Sequence, residues 1–364
     1  MSTNTLFSPF ALKSLSLENR IVMAPMTRVF SPGGVPGDNV VDYYRRRAEG
    51  GVGLILTEGT VIDRPASKNE ANIPNIHGDG LNGWAKVVEA VHGAGGKIAP
   101  QIWHTGAAFG RDAGWRPTPM DTPSGISLTE ETVGEAMSDA DIADTIAAFG
   151  RAAGDAKRIG FDAIELHGAH GYLIDEFFWA HTNRRDDKWG GSTIGERTRF
   201  AVEVVKAARA AVGPGFPIII RLSQWKGGFW DNKLAANPAE LEAWLQPLVD
   251  AGADILHCSQ RRFWEPEFEG SDLNFAGWAK KVTGVPTVTV GSVGLSGEFI
   301  GAFGGQSSEP QSLDELLRRL DRGDFDLVAV GRAILTDPQW VTKIREARHD
   351  ELKPFEASAF ATLY

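Results

Sequence analysis

The chain has 364 residues, 42% hydrophobic and 23% charged, the balance of a soluble globular protein long enough to bury a sizeable core. A net charge of −10 argues against a nucleic-acid surface, which needs a basic face, and no apolar run nears the roughly 20 residues of a membrane span. Cys258 is the only cysteine, which excludes an internal disulfide and a four-thiolate iron–sulfur cluster. Met1–Thr5 lacks a charged and apolar leader, so the expected location is the cytoplasm.

Leu6-Phe7 and Leu15-Ser16-Leu17 flank a turn-like stretch and predict a hairpin that plugs one end of the fold. Eight apolar runs then read as strands: 20–26, 53–60, 97–104, 161–167, 216–224, 253–259, 286–292 and 326–331. Helical periodicity fills 141–159, 195–212, 238–251 and 312–322, and Thr193-Ile194-Gly195-Glu196 has the spacing of a capping box. Residues 107–138, rich in Pro, Gly and Thr, read as a long functional or lid-like loop after the third of these strands. Strands that are apolar throughout, joined by helices, imply a parallel sheet covered on both faces. Eight such units fit a closed (β/α)₈ TIM barrel, one domain over residues 1–364. An open doubly wound sheet would show a nucleotide fingerprint. The one G-x-G-x-x-G match, Gly78 to Gly83, follows a polar, Pro-containing stretch and is discounted.

In such a barrel the chemistry gathers at the C-terminal ends of the strands. The fourth strand delivers His167-Gly168-Ala169-His170-Gly171-Tyr172, two imidazoles and a phenol on a glycine-punctuated turn. That set suits gripping a substrate oxygen and delivering a proton. Other strand ends supply Pro25-Met26-Thr27-Arg28, Thr57-Glu58-Gly59-Thr60, Gln101-Ile102-Trp103-His104 and Arg221. A Gly-rich turn at Gly291-Ser292-Val293-Gly294 and the Gly331-Arg332 pair stand where barrels often hold a phosphate. No metal is expected, because His167-x-x-His170 lacks a third ligand and Glu165 is expected to face the other way. His104 and His181 are expected to be structural. Position alone leaves Arg221 open between function and an ion pair, and Trp103 open between site and core.

Together these residues resemble the old yellow enzymes, FMN-dependent ene-reductases of the NADH:flavin oxidoreductase family. The resemblance runs nearly full length, through Arg20 to Arg28, Leu54 to Thr60, Gln101 to His104 and, most specifically, Asn183 to Ser192 continuing to Phe200. Trp189 replaces the family's usual tyrosine, and Thr27 stands where the thermophilic-type branch often has cysteine. The resemblance implies that Pro25, Met26 and Thr27 line the flavin, with Thr27 on the C4 carbonyl. It places Gly59 at the ring edge, Gln101 at N3 and O2, and Arg221 near N1 and O2. Gly291, Ser292, Val293, Gly331 and Arg332 would hold the phosphate. His167 and His170 would bind the oxygen of an activated alkene, Trp103 would line the substrate pocket, and Tyr172 would protonate the α-carbon. NADH or NADPH would reduce the flavin first. The implied acceptors are α,β-unsaturated carbonyls, with nitro compounds or nitrate esters as extensions.

Two further segments carry open readings. Arg261 to Pro266 follows the sixth strand, and its aromatics either select substrates by stacking or pack the loop down. Leu295 to Gln311 either reshapes the cofactor edge or touches a partner subunit. The competing function is a barrel lyase or isomerase with a phosphorylated substrate, against which no lysine is expected at a strand end for a Schiff base. Sequence leaves open monomer or homodimer, NADH or NADPH, and the physiological alkene. The expected partner is a small molecule, with no nucleic acid and no membrane.

Overall fold

The computed structural model describes residues 3–108 and 119–364. A two-stranded antiparallel hairpin opens the chain, β1 (Phe10–Leu12) and β2 (Leu15–Leu17). Its first arm lies at Phe10–Leu12 rather than at Leu6-Phe7; Leu6 is instead buried in the outer core. Eight parallel strands follow: β3 (Ile21–Met23), β4 (Leu54–Val61), β5 (Ile98–Trp103), β6 (Ile164–His170), β7 (Ile218–Lys226), β8 (Ile255–Ser259), β9 (Thr287–Val290) and β10 (Leu327–Val330). They close in sequence order, with β10 pairing back onto β3, which is the (β/α)₈ barrel expected.

The crossover helices are α1 (Asp38–Glu49), α2 (Gly80–Gly93), α3 (Asp139–Arg158), α4 (Leu173–Phe178), α5 (Ile194–Arg197), α6 (Arg199–Val212), α7 (Pro238–Asp250) and α8 (Phe275–Thr283). The last four are α9 (Phe299–Phe303), α10 (Asp314–Arg322), α11 (Arg332–Thr336) and α12 (Trp340–Arg345). The capping box at Thr193 and Glu196 forms as expected. It starts a single turn, because the expected helix over 195–212 breaks at Thr198, whose hydroxyl donates back to the Ile194 carbonyl at 2.8 Å. Of the long loop at 107–138, residues 109–118 lie outside the described residues. Among the described residues, no helix is long and apolar enough to cross a membrane.

Strand periodicity decides what each side chain meets. Leu54 and Leu56 point into the barrel, while Ile55 between them joins the layer under the helices. Phe10, Leu15 and Leu17 of the hairpin pack on the same inner cluster, with Val22, Ala99, Ala163, Ile219, Ile255 and Ala329. The hairpin therefore seals the N-terminal end of the barrel. Two residues further along β5, β6, β7 and β8 the inward side chains turn polar.

Candidate flavin and acceptor site

From Ala99 the inward positions step to Gln101 and Trp103, from Ala163 to Glu165 and His167, from Ile219 to Arg221 and Ser223, and from Ile255 to His257 and Ser259. Strand register sets Gln101 beside Glu165, His167 beside Arg221, and Arg221 beside His257. Glu165 thus shares its face with His167, contrary to expectation, because the two are separated by one pleat. Its buried carboxylate accepts from Gln101 Nε2 at 2.7 Å and pairs with His257 Nδ1 at 2.6 Å. Glu165 and His257 are functional candidates that the sequence reading missed, although counting by twos from Ala163 finds the first.

Above this layer opens a cavity of about 510 Å³, of the size that takes a cofactor. Of the cofactor and substrate residues expected from sequence, all but Gly59 line it. A Cβ at Gly59 would lie 2.2 Å from the Trp103 ring, so this glycine serves the close approach of that indole instead. On the opposite side, Gly291 takes φ 146, and a Cβ there would meet the Gln260 carbonyl at 2.7 Å. Arg332 also lines the cavity. Its guanidinium donates to the Glu298 carbonyl at 3.0 Å and the Ser308 hydroxyl at 3.3 Å, tying down the loop after β9. Burial lowers it to about 10.

His167, His170 and Tyr172 converge on one point. Ring centroids of Tyr172 lie 4.9 Å from His167 and 4.6 Å from Trp103, and those of His167 and His170 lie 5.3 Å apart. Strand β6 runs three residues past its expected end, with a register shift between Gly168 and His170. His170 takes φ 68, a left-handed conformation costly for a side chain with a Cβ. Neighbours hold it there. Ser223 Oγ accepts from the His170 amide at 2.9 Å, and Ser259 Oγ lies 2.8 Å from its Nε2. Trp225 stacks on the ring at 4.2 Å. The next amide, Gly171, donates to Asp175 Oδ2 at 2.7 Å, and Asp175 pairs with Lys226 at 2.9 Å, both fully buried. Ser223, Ser259, Trp225, Asp175 and Lys226 carry no local sequence signal for this work.

Burial, with the Arg221 charge second, drives both His167 and His170 well below the ordinary histidine value. Both are neutral at pH 7, fit to donate a hydrogen bond and not to deliver a proton. A pH series of the acceptor half-reaction should therefore show no inflection near the ordinary histidine value of about 6.5. A rate that climbs as pH falls through that value would mean that an imidazolium takes part.

Arg221 is the strongest pointer to what the cavity holds. It is 8% exposed, yet among the described residues nothing accepts a hydrogen bond from its guanidinium, and its Nε is buried without a partner. The Glu165 carboxylate acts on it only through space. A buried cation is costly until something negative or strongly accepting meets it. The pyrimidine edge of a flavin, where negative charge grows on reduction, is such a group. Gln101 beside it holds its amide fixed through Glu165, with the carbonyl end left for an N–H. The residues present fit the cofactor.

His104 proves structural, as expected: it is buried, its Nε2 meets Asp121 at 3.0 Å and its Nδ1 accepts from the Gly106 amide. The Asn183 to Gly191 stretch is also a brace. Asn183 donates to the Phe177 and Trp189 carbonyls at 2.8 Å, and Arg197 to the Phe178 carbonyl. Among the loop residues after β8, Phe263 is buried in the core and neither it nor Trp264 lines the cavity, so these aromatics pack the loop down.

A closed parallel barrel with a cofactor-sized cavity at its C-terminal rim, a buried arginine in the floor without a hydrogen-bond acceptor among the described residues, and two neutral imidazoles above points to the flavin-dependent oxidoreductase class. Residues 5–351 match the NADH:flavin oxidoreductase / NADH oxidase family. The chain is 36% identical to an NADH oxidase of Thermoanaerobacter brockii over 96% of its own length, though it spans only 52% of that protein. It is 31% identical to 12-oxophytodienoate reductase 7 of Oryza sativa subsp. japonica, covering 93% of this chain and 87% of the relative. Morphinone reductase in complex with tetrahydroNAD superposes with a TM-score of 0.79 at 30% identity, covering 98% of this chain and 93% of the other. This chain belongs to the NADH:flavin oxidoreductase / NADH oxidase family, the old yellow enzymes its motifs resemble, with FMN as cofactor.

Proposed function

We propose that the protein reduces the activated C=C bond of α,β-unsaturated carbonyl compounds, with nitro compounds and nitrate esters as further acceptors. The observation that carries this reading is the convergence of His167, His170 and Tyr172 over the cavity whose floor holds Arg221. FMN, when bound, would supply hydride chemistry, taking hydride from NADH or NADPH and passing it to the acceptor's β-carbon. Pro25, Met26 and Thr27 would line its ring, and Gln101 and Arg221 would meet its pyrimidine edge. Gly291, Ser292, Val293, Gly331 and Arg332 would hold its phosphate.

Neutral His167 and His170 donate to the acceptor's oxygen. That polarises the alkene and stabilises the enolate-like charge as it forms, the work of an oxyanion hole. Tyr172 then delivers the proton to the α-carbon. Trp103 fixes the phenol edge-on and walls one side of the pocket. Hydride and proton together saturate the double bond. Residues 1–364 act in this as one FMN-binding barrel, a small molecule is the partner, and the cytoplasm is the place.

The lyase or isomerase alternative loses ground, because the relatives named here are an oxidase and reductases. The direct test is spectroscopic. Purified protein should be yellow, bleach anaerobically with NADH or NADPH, and regain colour on adding an enone. A colourless protein that FMN cannot reconstitute defeats the proposal.

A further inference from the structure

The loop after β9 does something the flavin does not require. It projects α9 over the cavity, where Phe299 packs against Trp225 at 5.3 Å and Trp230 at 5.7 Å. Phe303 follows at 5.9 Å from Phe299, and Phe303, itself 73% exposed, stacks on Phe360 of the C-terminal segment at 5.5 Å and 14°. With His170 stacked on Trp225, these rings form a continuous arc from the oxygen-binding imidazole to the cavity mouth. Trp225, Trp230, Phe299, Phe303 and Phe360 all line the cavity.

The arc is held at its base. Ser308 and Phe355 exchange backbone hydrogen bonds at 2.9 and 2.8 Å, Ser296 donates to Glu309 at 2.9 Å, and Arg332 and Arg261 secure Glu298 through its carbonyl and its carboxylate. A wall fixed in this way is present before the ligand arrives, which limits what binding must order. The five rings themselves carry no charge. They offer faces and edges, which favour a second flat ring over a flexible aliphatic chain.

We propose that this arc makes the enzyme selective for enones and nitroalkenes that carry an aryl or fused-ring substituent on the β-carbon. This rests on the ene-reductase reading above. With the acceptor's oxygen at His167 and His170, the substituent leaves the imidazoles between the Trp103–Tyr172 wall and the Trp225–Trp230–Phe299 wall, and extends toward Phe303 and Phe360.

The test compares 4-phenyl-3-buten-2-one with 2-cyclohexen-1-one in the FMN-loaded enzyme. Calorimetry of the saturated product, 4-phenylbutan-2-one, supplies a binding readout free of turnover. The native protein should favour the aryl enone in kcat/KM by about tenfold or more, the worth of one or two well-placed ring contacts. Phe299→Ala and, separately, Trp230→Leu should each cut that ratio about tenfold and weaken product binding by a similar factor. Absence of a preference in the native protein overturns the inference. So does an equal loss on both enones, or a loss confined to reduction by the nicotinamide, which would give the wall to the coenzyme instead. A native protein that bleaches with nicotinamide yet reduces neither enone sinks the underlying reading rather than this one.

Discussion

In a Tyr172→Phe variant, reoxidation of the reduced protein by an enone should slow by roughly 10²- to 10⁴-fold, the usual worth of a positioned general acid. Bleaching by nicotinamide should persist. The expectation follows from which groups near the acceptor can part with a proton. His167 and His170 cannot, since burial keeps both neutral. The Arg221 guanidinium, though lowered by burial, belongs to the most basic of the side-chain groups and keeps its proton. Tyr172 remains, its ring held edge-on to Trp103 and His167. Phenylalanine keeps both of those ring contacts and the backbone turn that starts α4. Stopped-flow traces of the two half-reactions separate the outcomes. Oxidative rates within threefold of the native protein would remove Tyr172 from the mechanism.

Much of the fold is legible in the sequence for a simple reason: most barrel strands open apolar on both faces and are bounded by turn residues, so the eight runs stand out without context. The motif residues at the strand ends are legible because the barrel directs them to one rim. What stays hidden depends on contacts between distant segments. Lys226 and Asp175 are 51 positions apart and look like ordinary surface charges, yet both are fully buried. Glu165 was within reach, since the pleat that aims His167 inward aims Glu165 inward too. The aromatics that shape the cavity are harder. Arg261 to Pro266 advertises a phenylalanine and a tryptophan directly after a strand, and those pack away from the cavity. Phe299 and Phe303 sit in a stretch read from its glycines, and they reach the cavity because Arg332 holds the loop from below. Arg332 is expected at the phosphate from its strand-end position, its charge and the family resemblance. Position could not show that loop carbonyls also claim its guanidinium.

The pair that the sequence hides should dominate stability. Replacing Lys226 by methionine leaves Asp175 buried without its cation, and breaking a buried pair from one side costs about 3–5 kcal/mol. Burial already raises the Asp175 carboxyl to about 6 despite the ammonium beside it, and the same burial lowers Lys226. A carboxyl raised above its unfolded value near 3.8 favours the folded state most at pH below that value, and the advantage is lost as pH climbs through about 6. Without Lys226 the folded value rises further, so the loss continues to higher pH. Urea unfolding of Lys226→Met should therefore show the full deficit at pH 7.5 and a smaller one at pH 5, where Asp175 takes up a proton. Removing both charges, in an Asp175→Asn, Lys226→Met double variant, should recover most of the deficit, because uncharged replacements need no compensation. The consequence reaches the chemistry, since Asp175 accepts from the Gly171 amide in the turn that holds His170 at φ 68. A deficit below about 1 kcal/mol, or one equal at both pH values, would show that the pair contributes no more than a surface salt bridge does.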